Sequence, residues 1–340
     1  MKICVVGAGA IGGLMAAKLS LSGNGGAGND VTVIDQGAHL AAIQKNGLKL
    51  IWEDGSEHVA KMKAVGSAAD AGPQDLVVLA VKAHFLDQVA RDVEKLLGPE
   101  TMIVTVQNGM PWWYFHNLKG PYEGTRLKTL DPSGILTRHI PAARIVGCVV
   151  YPAAAVTEPG VVKHVEGDRF PVGELDGSES ARVQKLHDLF VEAGFRSRVL
   201  DDIRSEIWLK AWGNLSFNPI SALTHATLED ICTFKETRQL AATMMAEAQV
   251  IGEKLGVTFR HTIEKRIDGA QSVGKHKTSM LQDVEAGRSL ETEALVGAIL
   301  EMGQLVGAPS PAIEAVYACV KLLNKTMLME HAGVTLQKAS

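Results

Sequence analysis

The stretch Lys2–Gly12, KICVVGAGAIG, decides the fold of the N-terminal half. A short apolar run typical of a buried strand leads directly into a Gly-x-Gly-x-x-Gly sequence, and helical apolar spacing continues over Ile11–Leu21. In this context the first glycine permits a tight turn, the second lets the backbone approach a pyrophosphate, and the third allows close helix–strand packing. The helix N-terminus supplies N–H donors and a positive dipole end. The residues predicted to bind a dinucleotide are Gly7, Gly9, Ala10, Ile11 and Gly12.

Further runs rich in Val, Ile and Leu continue through the first half of the chain, separated by helical patterns. Besides Lys2–Val6, the predicted strands are Val31–Ile34, Leu76–Val81, Met102–Val106 and Ile145–Val150. Continuous apolar strands that alternate with helices predict a mostly parallel sheet covered on both faces, as in a Rossmann domain. The stretch Val161–Glu174 is predicted to be a late antiparallel addition.

After about residue 200 the strand signals give way to long helical patterns. A chain of 340 residues also exceeds the usual size of one domain. We therefore predict an α/β Rossmann domain over residues 1–200 and an all-α catalytic and substrate domain over residues 201–335. The main predicted helices of the second domain are Asp202–Leu215, Asp230–Leu255, Ser289–Val306 and Ile313–Glu330.

The composition excludes several classes of partner and site. A net charge of −4 without a basic block argues against nucleic acid and anionic membranes as partners. The four cysteines are far apart in apolar surroundings, which predicts small buried hydrophobes in a reducing compartment and neither disulfides nor a metal site. No run approaches the roughly 18 apolar residues of a membrane span. We expect a cytoplasmic protein, and the long apolar C-terminal helices are compatible with a homodimer.

Asp35 ends the second predicted strand, where an acidic side chain accepts hydrogen bonds from the adenosine ribose. A carboxylate there repels a 2′-phosphate and so favours NADH. A plain turn at Asp35-Gln36-Gly37 is an equal alternative. The glycine-rich stretch Ser22–Asp30 accounts for the long spacing between the glycine motif and Asp35.

Polar residues follow two later strands. Lys82 comes after Leu76–Val81, and Asn108 comes after Met102–Val106. Because ligands of open α/β sheets bind at the carboxyl ends of strands, both side chains are predicted to face nicotinamide and substrate. Asn108-Gly109 is also a common turn pair, which is the alternative for Asn108.

The predicted helix after Asp202 places Lys210, Asn214 and Asn218 on one face, at intervals of four. Apolar residues occupy most of the remaining circumference, so this helix is predicted to be largely buried. A lysine there must be paired or functional, and an ion-paired or snorkelling lysine is the alternative. Reduction of a carbonyl needs a proton donor, and a lysine whose pKa is lowered by burial can be that donor.

The chain resembles the ketopantoate reductases (2-dehydropantoate 2-reductases) over nearly its whole length. The motifs that carry the resemblance are the three glycines, Val81-Lys82-Ala83, Gln107–Trp113, Lys210–Leu215 with Asn218-Pro219, Ser279–Asp283, and Gly287-Arg288 with Glu291. The resemblance implies an NAD(P)H-dependent reduction of ketopantoate to D-pantoate, a step of pantothenate biosynthesis.

The resemblance also implies roles for individual residues. Lys210 would be the general acid, supported by Asn214 and Asn218, which could also bind substrate. Glu291 would bind the substrate hydroxyl, and Ser279 would contact the substrate carboxylate or hydroxyl. Asn108 and Lys82 would line the junction of nicotinamide and substrate. From residue chemistry alone, Ser279 reads as a helix N-cap and Glu291 as a surface carboxylate.

Two departures from the family pattern leave alternatives open. The family generally uses NADPH and has a basic residue just past the second strand, where this chain has Gln36. A register shift of two would make Glu293 the substrate ligand in place of Glu291. The alternative function is an NAD-dependent D-2-hydroxyacid dehydrogenase for a branched or aromatic 2-oxo acid, with Trp112-Trp113 serving the larger substrate. A β-hydroxyacid dehydrogenase and a non-catalytic dinucleotide sensor are further alternatives.

Overall fold

The computed structural model describes residues 1–22 and 29–336, so most of the glycine-rich stretch Ser22–Asp30 lies outside the described residues. The chain divides into two compact units. Unit 1 comprises Met1–Gln107, Trp112–Arg126 and Ser133–Ile203, and unit 2 comprises Asn108–Pro111, Leu127–Pro132 and Arg204–Ser340. Two short segments that precede the predicted boundary at residue 200 therefore belong to unit 2.

Unit 1 is built on a seven-stranded sheet. Its strands are β1 (Lys2–Val6), β2 (Asp30–Ile34), β5 (Lys63–Val65), β6 (Gln74–Leu79), β7 (Leu97–Thr105), β8 (Ile145–Cys148) and β11 (Val172–Gly173). Their order is β11-β8-β7-β6-β1-β2-β5, and every pairing is parallel except that of β11 with β8. This is the predicted Rossmann architecture, with β1 flanked by β2 and β6.

A second sheet of four strands also belongs to unit 1, and it was not predicted. Its strands are β3 (Leu48–Ile51), β4 (Glu57–Ala60), β9 (Ala153–Glu158) and β10 (Val161–Glu166), in the order β4-β3-β10-β9. The prediction of Val161–Glu174 as one antiparallel addition is therefore wrong in part. Its first half is β10 of the second sheet, and only β11 joins the main sheet antiparallel.

The first helix, α1 (Ala10–Leu21), contacts strands of both sheets. Its residues Gly12–Leu19 are all buried, and Leu14 belongs to the core formed with Ile3 and Val5. Lys18 is buried as well: its Nζ donates to the carbonyl of Gly194 at 2.9 Å, and burial lowers the pKa of its ammonium. Because this helix lies between two sheets, apolar residues occupy nearly its whole circumference.

The remaining α-helices are, in unit 1, α2 (Gly37–Asn46), α3 (Ala68–Ala71), α4 (Leu86–Val93), α5 (Ile135–His139) and α6 (Ala181–Glu192). The second unit has α8 (Leu228–Thr233), α9 (Lys235–Lys254), α10 (Ile263–Ser272), α11 (Ser279–Glu285), α12 (Ala298–Leu305) and α13 (Pro311–Glu330). Helix α7 (Ile203–Thr224) begins at the last residue of unit 1 and otherwise belongs to unit 2.

Three of the predicted helices differ from the observed ones. Asp230–Leu255 is interrupted at Phe234, where α8 ends and α9 begins. Ser289–Val306 contains a π-helical turn, Glu293–Gly297, before α12. The first predicted helix runs on to Thr224, because Pro219 is accommodated inside α7.

Two further observations concern the cysteines and hydropathy. Cys4, Cys148 and Cys232 are buried, and burial raises the pKa of the Cys4 thiol to about 12. Cys319 is exposed, so its prediction as a buried hydrophobe is wrong.

Among the described residues, no helix combines the length and the apolar character needed to cross a membrane.

Candidate active site

The glycine motif forms the turn between β1 and α1. Gly7 has a φ of +92°, which glycine adopts readily, and a side chain on Gly12 would collide with the carbonyl oxygen of Gly7. Gly9 differs from both, because a Cβ there would meet no atom within 4 Å. The loop therefore needs Gly7 and Gly12 for its own packing. It leaves open space beside Gly9, as a dinucleotide pyrophosphate requires.

Asp35 and Gln36 line an open cleft of about 390 Å³ beside this loop, together with Ser67, Gln88 and Asp92. The Asp35 carboxylate accepts the N–H of Ala8 at 2.6 Å through Oδ2 and the N–H of Gln36 at 2.7 Å through Oδ1. Each oxygen keeps a lone pair for a ligand hydroxyl. The carboxylate can thus serve both the turn and a ribose.

The strand ends of unit 1 carry Lys82 and Gln107. Lys82 is half-buried and precedes a short 3-10 helix, Ala83–Phe85. The Gln107 amide donates to the carbonyls of Leu79 and Val81 at 2.7 and 2.9 Å, which fixes the end of β7 against the end of β6.

The tryptophan pair that could serve a larger substrate is buried. Trp112 and Trp113 are 5% and 3% exposed, and the Trp113 indole donates to Thr105 Oγ1 at 3.0 Å. The two rings therefore give no support to the alternative of a large aromatic substrate.

Unit 2 brings Lys210, Asn108 and Glu291 together. Lys210 Nζ, on α7, donates to Asn108 Oδ1 at 2.6 Å, and Asn108 Nδ2 lies 3.5 Å from Glu291 Oε2. All three side chains are half-buried. A carboxamide oxygen can only accept a hydrogen bond, so Asn108 orients the lysine without taking its proton.

Glu293 has different surroundings. It accepts a hydrogen bond from the Tyr317 hydroxyl at 2.6 Å and forms an ion pair with Lys321 at 2.9 Å. Burial, together with Glu293, raises the pKa of Tyr317. Of the two glutamates considered as substrate ligand, Glu291 is the one beside Asn108.

Asn214 and Asn218 follow Lys210 on α7. Asn218 is 6% exposed, Asn214 is half-buried, and neither side chain hydrogen-bonds to another described residue. Pro219 has no N–H, so the carbonyl of Leu215 also lacks its usual helical partner. Unit 2 therefore contains polar groups on α7 that are available to a ligand.

Ser279 is exposed and is the first residue of α11. The N-cap is Thr278, whose hydroxyl accepts the N–H of Leu281 at 3.2 Å, so the reading of Ser279 as an N-cap is wrong by one residue. Since Thr278 supplies the cap, the Ser279 hydroxyl is not needed for it. No group of three or more His, Cys, Asp or Glu within residues 1–22 and 29–336 could hold a metal ion.

Comparison with known proteins identifies the family of the chain. The family model for ketopantoate reductase PanE/ApbA matches residues 3–121, and the model for its C-terminal part matches residues 202–324. A curated 2-dehydropantoate 2-reductase from Mesorhizobium japonicum is 54% identical over 323 residues, which are 95% of this chain and 98% of that protein. The chain belongs to the ketopantoate reductase family.

Solved structures of the ketopantoate reductase family agree with this. One from Ralstonia solanacearum MolK2, described as a ketopantoate reductase, is 39% identical with a TM-score of 0.90 and covers 96% of this chain and 98% of its own. A D-mandelate dehydrogenase solved with NADH and anilino(oxo)acetate has the same fold, with a TM-score of 0.81 at 23% identity and 96% and 99% coverage. The predicted family, the fold class and an oxidoreductase acting on CH–OH groups are confirmed.

Two features of these sites were not predicted. His39 hydrogen-bonds to the carbonyl of Ala8, and Met110 N–H donates to the carbonyl of Ala294 at 2.8 Å. A histidine in the helix after the second strand is a weak signal, and nothing in the sequence indicates that Ala294 accepts a hydrogen bond.

Proposed function

We propose that the chain reduces ketopantoate to D-pantoate with NADH, and that Lys210 is the general acid. One observation carries the assignment of the acid: Lys210 Nζ is held at 2.6 Å by Asn108 Oδ1, beside Glu291. The substrate follows from the 54% identical 2-dehydropantoate 2-reductase.

The chemistry of the lysine follows from its hydrogen bond. When bound, the reduced dinucleotide supplies the hydride for the keto carbon. The Lys210 ammonium has three N–H groups, so one can donate to Asn108 while another donates to the keto oxygen. As the carbonyl is reduced, that proton passes from Nζ to the oxygen and leaves a neutral amine, which recovers a proton from solvent.

Polar side chains of unit 2 are assigned to the substrate. The Glu291 carboxylate accepts a hydrogen bond from the substrate hydroxyl. Asn214 and Asn218 offer amides without partners among the described residues. Ser279, with its hydroxyl exposed, contacts the carboxylate or hydroxyl.

The residues of unit 1 suit a dinucleotide. Gly7, Gly9 and Gly12 allow the pyrophosphate to approach the backbone, and the N–H groups of Ala10 and Ile11 at the start of α1 lack partners within the helix. Lys82 is assigned to the nicotinamide side of the cofactor. Asn108, a residue of unit 2, has the same assignment.

We assign NADH ahead of NADPH on the charges of the cleft. Of the described residues that line it, Asp35 and Asp92 are acidic and none is basic. Gln36 stands where the family has a basic residue. A 2′-phosphate would therefore meet negative charge without a cation to pair with.

Steady-state kinetics with ketopantoate test these assignments. Lys210→Ala is expected to lower kcat at least roughly a hundredfold, the scale of removing a positioned acid. The matched control is Lys321→Ala, which removes another unit 2 lysine, one that is ion-paired to Glu293. That variant should keep near-normal turnover.

The wild-type enzyme tests the substrate and the cofactor in the same assay. We expect a higher kcat/KM for NADH than for NADPH, and for ketopantoate than for an aromatic 2-oxo acid. Near-normal turnover by Lys210→Ala contradicts the assigned acid. A preference for NADPH or for the aromatic acid contradicts the corresponding assignment.

A further inference from the structure

The peptide groups of Ala8, at the centre of the glycine motif, are held by side chains. Ala8 is fully buried, and its N–H donates to Asp35 Oδ2 at 2.6 Å. Its carbonyl oxygen lies 2.8 Å from Nε2 of His39, in the first turn of α2. Buried backbone groups must be paired, and here α1 and β1 do not supply the partners. The conformation of the loop therefore depends on Asp35 and His39.

The second hydrogen bond of His39 fixes its protonation. The N–H of Gly160 donates to Nδ1 of the ring at 3.0 Å, so Nδ1 must carry a lone pair. Because the Ala8 carbonyl can only accept, Nε2 must carry the hydrogen. His39 is thus a neutral imidazole protonated on Nε2, and it joins two backbone groups that are distant in sequence.

Gly160 connects this imidazole to the second sheet. It lies in the turn between β9 and β10, and its carbonyl accepts the N–H of Lys49 in β3 at 2.9 Å. Its φ is +78°, and a Cβ there would lie 2.9 Å from Ala42 Cβ on α2. A glycine is needed for this close approach. A continuous set of hydrogen bonds therefore runs from β3 through Gly160 and His39 to Ala8.

Close packing at Gly13 also limits the space around the Ala8 carbonyl. A Cβ on Gly13 would lie 2.8 Å from the Ala8 oxygen and 2.7 Å from Val162 Cγ2 of β10. Without that Cβ, α1 approaches both the loop and the second sheet closely. The loop, α1 and the second sheet are thus packed against each other at the dinucleotide turn.

We propose that His39 is a positioning residue for the dinucleotide, and that the second sheet, through Gly160, fixes the pyrophosphate-binding loop. His39 acts through the Ala8 carbonyl and does not itself touch the cofactor. The Ala8 carbonyl and the Gly9 N–H belong to the same planar peptide group, so holding the carbonyl sets the direction of that N–H, beside the open space at Gly9. The inference rests on the dinucleotide binding proposed above.

The test compares His39→Leu, His39→Gln and His58→Leu in the full-length enzyme. His39→Leu loses both hydrogen bonds and leaves the Ala8 carbonyl without its partner. We expect its Kd for NADH, measured by titration of nucleotide fluorescence, to rise roughly tenfold. The kcat at saturating NADH and the KM for ketopantoate should stay within about twofold of the wild-type values, because the substitution weakens only cofactor binding.

Two matched variants complete the comparison. His39→Gln retains a donor and an acceptor and should restore most of the NADH affinity. His58, on β4 of the same sheet, accepts a hydrogen bond from Trp52 Nε1 at 2.7 Å and has no contact of this kind with the loop. His58→Leu should bind NADH as wild type does.

The outcomes separate this inference from the proposed function. A wild-type enzyme that does not bind NADH overturns the proposed function. A wild type that binds NADH while His39→Leu binds it equally well overturns the role of His39, as does a loss confined to kcat. Nitrogen-15 NMR of the wild-type histidines gives an independent check if His39→Leu does not fold. We expect the Nε2–H tautomer for His39, and an Nδ1–H ring would sink the inference.

Discussion

Glu291 and Glu293 are two positions apart, yet they have separate partners. Glu291 lies beside Asn108, whereas Glu293 is engaged by Tyr317 and Lys321. Glu291→Gln keeps the size of the side chain and removes its charge. We expect it to lower kcat/KM for ketopantoate roughly ten- to a hundredfold, the scale of losing a charge-assisted hydrogen bond.

The control for this prediction is Glu293→Gln in the same assay. Its ion pair with Lys321, which is 55% exposed, lies at the surface, so we expect a change of less than about threefold. A larger loss in Glu293→Gln than in Glu291→Gln would show that the register of the substrate ligand is the shifted one.

Single residues of the site differ in how far the sequence could predict them. Lys210, Asn214 and Asn218 follow from spacing on one helix. The hydrogen bond of Lys210 to Asn108 joins residues about a hundred positions apart, which only the tertiary fold determines. Glu291 could be assigned only through the family resemblance, because a lone glutamate on a helix normally indicates a solvated surface.

At the scale of elements, the turn after β7 packs on the π-helical turn Glu293–Gly297. Met110 N–H donates to the carbonyl of Ala294, and a side chain on Gly109 would collide with that same oxygen. Gly109 also has a φ of +83°. Because Asn108 is the neighbouring residue, this packing sets where its amide meets Lys210. Single π turns are frequent at functional sites.

Gly109→Ala tests this packing against Gly256→Ala. Gly256 has nearly the same backbone, with a φ of +86°, but a Cβ there meets nothing within 4 Å. Both variants carry the strain of alanine in the left-handed region, about 1–2 kcal/mol. Only Gly109→Ala must also displace the turn, so we expect it alone to lower kcat, by roughly tenfold or more.

The measurements are kcat with ketopantoate and the midpoint of thermal unfolding. Gly256→Ala should lose stability and keep its kcat. Equal effects on kcat would mean that the contact with Ala294 does not position Asn108.

Elements were predictable where one pattern dominates. The strands of the main sheet are continuously apolar because both faces are covered. The predicted bounds of β1, β2 and β6 agree with the observed ones to within a few residues. The second sheet was missed because its strands are short and partly exposed: three of the four residues of Glu57–Ala60 are exposed. The sequence predicts one continuous helix across the π turn, because Ala294–Ile299 are all buried and therefore show no helical periodicity of apolar and polar residues.

At the scale of the whole molecule, the two units are not contiguous in sequence. Unit 2 includes Asn108–Pro111 and Leu127–Pro132, although the rest of this unit begins only at Arg204. The N–H groups of Lys128 and Thr129 donate to the Glu301 carboxylate at 2.7 and 2.8 Å. Composition locates the change from strands to helices near residue 200, but it cannot reveal segments that pack with a distant part of the chain.

This arrangement predicts that a fragment Arg204–Ser340 is incomplete. It lacks the two N–H donors of Glu301, the Met110 donor of Ala294 and the Asn108 partner of Lys210. Buried polar groups without partners each cost about 1–3 kcal/mol, a large share of the stability of a domain. We expect the fragment to show helical far-UV circular dichroism, weak near-UV signals and no cooperative thermal transition at the midpoint of the intact chain. Co-expression with residues 1–203 supplies the missing segments and should restore that transition. A fragment that unfolds cooperatively on its own at the native midpoint would show that these segments contribute little to unit 2.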